Sequence, residues 1–378
     1  MVVATPDGAH RVHGIGTGLV APAWPAITAA EAEAILACYP VAGRLVALRW
    51  HSPRPFSAAT LVETGGGAFF LKRHHRRLRT LYALAPEHAF VAHLAGAGLS
   101  VPEIIVTDNG ATAIALGDWT YELHRKAPGL DLYRDRPSWT PFLAHGHAQA
   151  AGAALARLHV AARGFDAPDR DPQPLVASLT ILTAPDPLAA AQDYVAARPA
   201  LAAFLADRPW RGELAALLAA NADGLGERLA AHPSLWTHND WHPSNLLWTP
   251  AGDVRTIFDF GLATRTCALH DLATAIERTA IEWLGLGERD DLANAGAARA
   301  TLDGYRIIRP LSAADLATLV QLLPLVHIEF ALSEIDYFAG IVGRPDQAAA
   351  AWDDYLIGHA QWFRSRPGRA FLDQLAED

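Results

Sequence analysis

A chain of 378 residues is long enough to bury two separate cores, so a two-lobed protein is within reach. With 51% hydrophobic and 19% charged residues, it is not a disordered polymer. A net charge of −9 excludes the broad basic surface that displaces counterions from nucleic acid. In chain order, the first 25 residues are Gly- and Pro-rich and read as a loose segment. His13-Gly14-Ile15-Gly16-Thr17-Gly18 follows no strand and reads as a linker, not a phosphate loop. The N-terminus has no basic region followed by a long apolar run, so it does not read as a signal peptide.

Thr28-Ala29-Ala30-Glu31 is a capping box that opens a helix through Cys38, ended by Tyr39-Pro40. Cys38 reads as a small buried hydrophobe, and two cysteines so far apart suit a reducing cytoplasm. Strands follow at Arg44 to Trp50 and Ala59 to Thr64, and Gly65-Gly66-Gly67 turns the chain into Ala68 to Lys72. The basic run Lys72 to Arg79 reads as a solvated loop. A helix is expected over Pro86 to Ala97, with Phe90, Val91 and Leu94 at helical spacing. Glu103 to Thr107 and Ala111 to Leu116 flank Asp108-Asn109-Gly110 as a hairpin, and a further strand runs over Trp119 to His124.

Beyond Lys126-Ala127-Pro128-Gly129 the chain becomes Ala/Leu-rich and helical almost to its end. Helices are expected over Phe142 to Val160, Pro187 to Ala197 capped by Asp186, Gly212 to Ala231, Asp271 to Leu284, Ser312 to Leu323 and Leu325 to Gly340. No apolar stretch reaches a transmembrane length. The fold class is therefore α+β. A small five-stranded antiparallel lobe with one inserted helix (residues 26–122) joins through 123–127 to a larger, mainly helical lobe (128–378).

One interruption of the helical lobe carries the chemistry. His238-Asn239-Asp240-Trp241-His242-Pro243-Ser244-Asn245 reads H-x-D-x-x-x-x-N, and Asp259-Phe260-Gly261 follows it. Between them, Leu246-Leu247-Trp248, a turn at Thr249 to Asp253, and Val254 to Phe258 form a hairpin that brings Asn245 and Asp259 together at its open end. Phosphoryl transfer from ATP needs this set. One Asp (Asp240) orients the acceptor hydroxyl and takes its proton, while an Asn oxygen (Asn245) and a second Asp (Asp259) hold Mg²⁺. Such a site also needs a Lys on the phosphates and a Glu to hold it. Lys72 at a strand end and Glu87 in the first turn of the next helix stand in the required order.

Leu71-Lys72, Glu87, Leu158-His159, His238 to Asn245, Asp259-Phe260-Gly261 and His270-Asp271-Leu272-Ala273 together resemble the aminoglycoside phosphotransferase and choline kinase family. Homoserine kinase-type and methylthioribose kinase-type enzymes share that fold, which is similar to the eukaryotic protein kinase fold. The resemblance covers the chain from about Thr28 onward and is sharp only at those motifs. It implies Asp240 as catalytic base, Asn245 and Asp259 as Mg²⁺ ligands, Lys72 on the ATP phosphates with Glu87 paired to it, and Trp119 to Lys126 beside the adenine. It also implies that His238 packs near Asp259.

Two departures stand out. The loop between the first two strands, Ser52 to Ala58, has no Gly, so the Ser57 hydroxyl, backbone N–H groups and Arg54 would have to meet the phosphates. Asn239 stands where protein kinases usually have Arg, and Gly261 to His270 is too short for an activation loop, which argues against a phosphorylation switch. The expected activity is ATP- and Mg²⁺-dependent phosphorylation of a small-molecule hydroxyl, with no nucleic-acid or membrane partner. The alternatives are a protein Ser/Thr kinase-like enzyme or a non-catalytic nucleotide-binding scaffold. The acceptor and the choice of ATP or GTP stay open.

Several residues have structural readings at this level. His238 and His242 flank Asp240 as a conceivable zinc pair, but Pro243 breaks any helix that would align them. His159 reads as a helix-end hydrogen-bond donor and Asp271 as the cap of the following helix. Glu329, Ser333 and Asp336 form a polar stripe, read either as a solvated face or as a cleft face for a cationic acceptor. C-terminal-lobe carboxylates play the second part in aminoglycoside and choline kinases.

Overall fold

The computed structural model describes residues 22–52, 56–168, 170 and 173–377. The smaller lobe holds helix α1 (Ala29–Leu36) and a five-stranded antiparallel sheet of β1 (Leu45–His51), β2 (Ala58–Thr64), β3 (Gly67–His75), β4 (Ile114–Leu116) and β5 (Trp119–Arg125), in the order β1-β2-β3-β5-β4. Helix α2 (Leu81–Gly96) is inserted between β3 and β4. The Thr28/Glu31 capping box forms as expected. At the β2–β3 turn, a Cβ on Gly66 would lie 2.0 Å from the Val41 carbonyl oxygen, so only glycine fits. Val62, Phe69, Leu71, Tyr121 and Leu123 of the sheet close a core against Ile35 and Leu36 of α1. Side chains alternate along a strand, so the opposite face of β3 and β5 carries Lys72, His74, Glu122 and His124 toward α2 and the cleft, with Lys72 paired to Glu122 in register.

Four expectations in this lobe change. The basic run is not a solvated loop: its first four residues complete β3, and Arg73 and Arg79 are buried. Arg73 bonds to Glu31 at 2.7 Å and lies over the Trp119 ring. Helix α2 starts at Leu81 behind a Thr80 cap and tolerates Pro86 in its interior, so Glu87 sits in its second turn, not its first. Cys38 is exposed because α1 ends before it, and Cys267 is the buried cysteine. The Glu103 to Thr107 strand shrinks to a single bridge from Ile104 to His124, and β5 runs on to Arg125. His13 to Gly18 and Arg54 lie outside the described residues.

The larger lobe contains α3 (His145–Ala161), α4 (Pro187–Ala196), α5 (Pro199–Leu205), α6 (Trp210–Asn221) and α7 (Leu225–Ala230). Next come β6 (Ser234–Thr237), β7 (Leu246–Trp248), β8 (Val254–Ile257) and β9 (Thr264–Cys267). Helices α8 (Ala268–Ala280), α9 (Ala295–Ile308), α10 (Ala313–Leu322) and α11 (Ile328–Asp336) follow, then α12 (Pro345–Ala350), α13 (Gly358–Arg364) and α14 (Arg366–Ala376). Strand β6 pairs with β9 and β7 with β8, both antiparallel. The expected helix Gly212 to Ala231 is two helices, broken at Gly224 with φ +61°. Small residues let α3 and α9 touch backbone to backbone. A Cβ on Gly152 would lie 2.0 Å from the Thr301 carbonyl oxygen, and one on Gly304 would lie 1.9 Å from that of Gln149. Helix α2 joins this lobe's core through Phe90, which packs on Trp236 and Phe260. Among the described residues no helix is long and apolar enough to cross a membrane.

Candidate active site

The β7–β8 hairpin forms, with Leu246 opposite Ile257 and the Phe258 N–H donating to the Asn245 carbonyl at 3.1 Å. Asn245 and Asp259 therefore lie at the hairpin's open end, as the sequence implied. The Asn245 carboxamide nitrogen donates to Asp240 Oδ2 at 2.9 Å and to its carbonyl at 2.9 Å, which leaves the amide oxygen free of Asp240. Asp259 has φ +61° and Asn239 φ +59°, left-handed conformations that Asp and Asn tolerate better than most residues. The Asp259 side chain is 44% exposed, so it is the most solvent-open carboxylate of this group.

Asp271 anchors the loop that carries Asp240. It accepts from the His238 N–H at 2.9 Å, from the Asn239 N–H at 2.8 Å and from His159 Nε2 at 3.0 Å. It does not cap α8, which starts three residues earlier after Cys267 with no side-chain cap. His159 also meets the Tyr305 hydroxyl at 2.8 Å, so α3, α8 and α9 all brace one loop. The Asn239 side chain accepts from Thr237 and Thr266, filling with neutral bonds the position where a protein kinase has Arg. His238 bonds to the Phe258 carbonyl at 3.0 Å and packs on Phe260, the structural role expected of it. Neither His238 nor His242 belongs to a group of converging metal ligands among the described residues.

Lys72 reaches across from the small lobe and donates to Asp259 Oδ1 at 3.1 Å. Its second carboxylate is Glu122 at 3.8 Å. Burial pulls the Lys72 ammonium down, but Asp259, Glu122 and Glu87 outweigh it and hold its pKa above the usual lysine value. Glu87 does not pair with Lys72 directly. It sits 3.4 Å from Arg170 Nη2, and Arg170 donates in turn to the carbonyls of Gly261 (2.9 Å) and Ala263 (3.0 Å). The direct partner of Lys72 in the small lobe is Glu122, which faces it in the strand register. Glu122 accepts from three imidazoles as well: His74 at 3.0 Å, His88 at 2.6 Å and His124 at 2.9 Å. Burial acts to raise its pKa, and His124 and Lys72 override that, holding it well below the carboxylate range.

The loop before β2 is docked onto the large lobe. The Phe56 ring packs on Tyr337 and Phe338 at 5.4 and 5.9 Å, and Trp24 Nε1 donates to the Phe56 carbonyl at 3.2 Å and to the Tyr337 hydroxyl at 3.1 Å. Ser57, half-buried at the start of β2, follows directly.

Sequence reasoning missed the closest neighbour of Asp240. Arg278 Nη1 donates to Asp240 Oδ1 and, at 3.0 Å, to the Asn239 carbonyl; its guanidinium lies 4.1 Å from the Trp139 ring centroid and 4.9 Å from that of Phe330. Burial acts to raise the Asp240 pKa, and His242 and Arg278 overcome it, holding the carboxylate well below its usual range. A signal existed: Asp271 and Arg278 are seven apart on α8, hence on one helix face, and both grip the Asp240 loop. Of the stripe, Glu329 and Ser333 are buried and Asp336 is half-buried, and none of the three bonds to Asp240. Glu329 accepts from Ser178, from the Thr180 N–H and hydroxyl (2.9 and 3.0 Å) and from the Ile181 N–H (2.8 Å). Ser333 accepts from the Leu175 N–H at 2.7 Å, and Asp336 lies beside Arg198 and the Leu201 amide. The reason is that the irregular segment 173–183 needs acceptors for its N–H groups, and α11 supplies them.

Comparison with known proteins agrees with this geometry. The chain is 24% identical over 317 residues to a homoserine kinase of Azorhizobium caulinodans, covering 82% of this chain and 86% of that one. A microcompartment-associated aminopropanol kinase superposes with a TM-score of 0.57 at 18% identity, covering 90% of this chain and 99% of the other. An amicoumacin kinase in complex with AMP-PNP, Ca²⁺ and Ami gives a TM-score of 0.53 at 16% identity, covering 92% of each chain. The kinase-like bilobal α+β fold is thereby shared. The sequence pattern of the phosphotransferase enzyme family matches residues 56–311, which span the sheet, the Asp240 loop and the hairpin, and the chain belongs to that family.

Proposed function

We propose that this chain transfers the γ-phosphoryl group of ATP to a hydroxyl of a small metabolite, with Asp240 as base. The observation that carries the reading is that the β7–β8 hairpin brings together two contacts, Lys72 to Asp259 (3.1 Å) and Asn245 to Asp240 (2.9 Å). The acceptor oxygen bonds to the γ-phosphorus, the bond from that phosphorus to the β,γ-bridging oxygen breaks, and ADP leaves. The hydroxyl proton passes to Asp240. Lys72 binds the α- and β-phosphates and is held for that task by Glu122, while Glu87, paired with Arg170, adds its negative charge from farther away. The Phe56–Ser57 segment covers the phosphates. The Asn245 oxygen and Asp259 form an all-oxygen donor set, which suits a hard cation such as Mg²⁺. Bound there, it would supply positive charge against the phosphates; an amicoumacin kinase of the same fold holds a nucleotide analogue and Ca²⁺. Only two residues separate Gly261 from β9, which leaves no loop to receive a peptide and weighs against a protein substrate.

An ADP-release assay over a panel of hydroxylated metabolites, run with wild type and Asp240→Asn, tests the reading. Turnover on the accepted substrate is expected to fall by about 100-fold or more in the variant, with ATP affinity within a few-fold. Unchanged turnover would remove Asp240 from the mechanism.

A further inference from the structure

One residue before Arg278 on α8, an acid meets two histidines from distant parts of the chain. Glu277 of α8, His327 at the start of α11 and His359 of α13 are each at most 2% exposed. One ligand atom from each lies within 4.8 Å of the other two. His327 Nε2–H donates to the Leu356 carbonyl at 3.0 Å, which fixes the tautomer and leaves the Nδ1 lone pair for another partner. That Nδ1 is buried and has no hydrogen-bond partner. A backbone carbonyl on the far nitrogen is how a metal-binding imidazole is oriented. His359 Nδ1 lies 2.8 Å from Glu277 Oε1, and its ring stacks on Trp283 with centroids 3.5 Å apart. Trp283 Nε1 donates in turn to the Glu277 carbonyl at 2.8 Å, so the imidazole and the end of α8 are fixed together. A cavity of about 10 Å³, room for about one water, adjoins Glu277 and His327 and is also lined by Asn239, Thr274 and His270.

The charge balance around this point lacks a cation. Burial pushes Glu277 up to about 7 and Glu334, within its electrostatic reach, up to about 8, while the neighbouring Arg278 is ion-paired with Asp240. Burial also holds His359 well below the imidazole range, so the proton between it and Glu277 stays on the acid. We propose that Glu277, His327 and His359 bind one zinc ion, with a water in the adjoining cavity as the fourth ligand. Two imidazoles, a carboxylate and a water are a donor set that tetrahedral zinc takes readily, unlike the all-oxygen pair of Asn245 and Asp259. Zinc replaces the proton on Glu277, which leaves to solvent as the ion enters. His88, Glu122 and His124 also converge, but there each imidazole already bonds to Glu122, and the Lys72 ammonium 3.8 Å from that carboxylate opposes a cation. The zinc ties α8, whose Asp271 and Arg278 grip the Asp240 loop, to α11 and α13.

The test uses the untagged full-length chain, so that no affinity tag supplies histidines, purified without chelator from zinc-supplemented culture. Elemental analysis is expected to find about one zinc per chain in wild type, Asp259→Ala and His88→Gln. His327→Gln, whose amide can keep the hydrogen bond to Leu356, is expected to hold less than about a tenth of that. Stripping zinc from the wild type is expected to lower its Tm by about 5 °C or more, and adding zinc back to restore it. Co²⁺ added to the stripped wild type is expected to give the strong visible absorption of a four-coordinate site, saturating at about one equivalent. His359→Cys keeps a ligand and is expected to add a thiolate-to-cobalt band, which locates the ion without relying on the fold of His327→Gln. A folded wild-type chain that holds no zinc and stays colourless with Co²⁺ overturns the proposal. So does zinc retained in His327→Gln, zinc lost in Asp259→Ala or His88→Gln, or Co²⁺ bound by His359→Cys without the thiolate band. None of these readouts involves phosphoryl transfer, so failure here leaves the function proposed above untouched.

Discussion

Lys72 of β3 and Asp259 of the hairpin lie 3.1 Å apart across the cleft, one from each lobe. The two charges that the proposed function assigns to the phosphates and the metal thus neutralise each other in the free protein, and a nucleotide with its cation would part them.

Their replacements should have different signatures. Asp259→Ala is expected to abolish the Mg²⁺ enhancement of ATP affinity, because Asn245 alone is a weak ligand. Lys72→Ala is expected to weaken ATP binding about tenfold or more while the Mg²⁺ enhancement persists. Calorimetric titrations with and without Mg²⁺ check both, and an undiminished Mg²⁺ effect in Asp259→Ala would refute the ligand assignment.

Glu122 predicts a pH dependence. His88 has a raised pKa because, against its burial, Glu122 stabilises the imidazolium. That stabilisation is complete below the unfolded histidine value of about 6.5 and disappears as pH rises through the folded value. Glu122, whose pKa is lowered, contributes above about 4.3 and loses its contribution on acidification. The difference in Tm between wild type and Glu122→Gln is therefore expected to be larger at pH 6 than at pH 8.5. A gap that widens with pH would contradict the network.

Glu329 gives the opposite kind of test. Glu329→Ala strands the N–H group of buried Ile181 and removes the acceptor of the Thr180 N–H, and is expected to cost about 2–5 kcal/mol of stability. Acceptor selectivity should be unchanged below the melting range. A KM rise specific to amine-bearing acceptors, at unaltered Tm, would restore the stripe to the cleft.

The seam between α3 and α9 tolerates no methyl group. Gly304→Ala would place a Cβ 1.9 Å from the Gln149 carbonyl oxygen. Chemical denaturation should show a loss of about 3 kcal/mol or more. Because α3 carries His159 to Asp271, activity at moderate temperature should fall along with stability.

The Asp240 loop and the hairpin were legible in the sequence because their geometry is local. A two-stranded turn fixes Asn245 against Asp259 with few residues between them. The sheet was legible for the same reason, through alternation and a glycine turn. Partner choice across the lobes was not legible. Glu87 had Lys72 as its nearest expected cation, yet Arg170 lies in a segment without periodicity, and nothing local shows that it turns back under Gly261. Glu122 was hidden as an ordinary strand residue, although pairing β3 with β5 would have set it opposite Lys72. Glu329 looked like a polar helix face because hydropathy cannot tell water from the N–H groups of an irregular neighbouring segment.

The aromatic contact of Phe56 with Tyr337 and Phe338 sets an order of events. In the proposed reaction the Phe56–Ser57 segment would roof the triphosphate, and Phe56 rests on the chain leaving α11, the helix whose Phe330 ring lies against Arg278, the ion-pair partner of Asp240. ADP would then depart as that roof lifts, and lifting it would remove support from the α11 wall of the cleft. A phosphorylated acceptor wedged against that wall would hold the roof's footing in place. Such an enzyme would release its phosphorylated product first and ADP last, a sequence that product-inhibition patterns read directly.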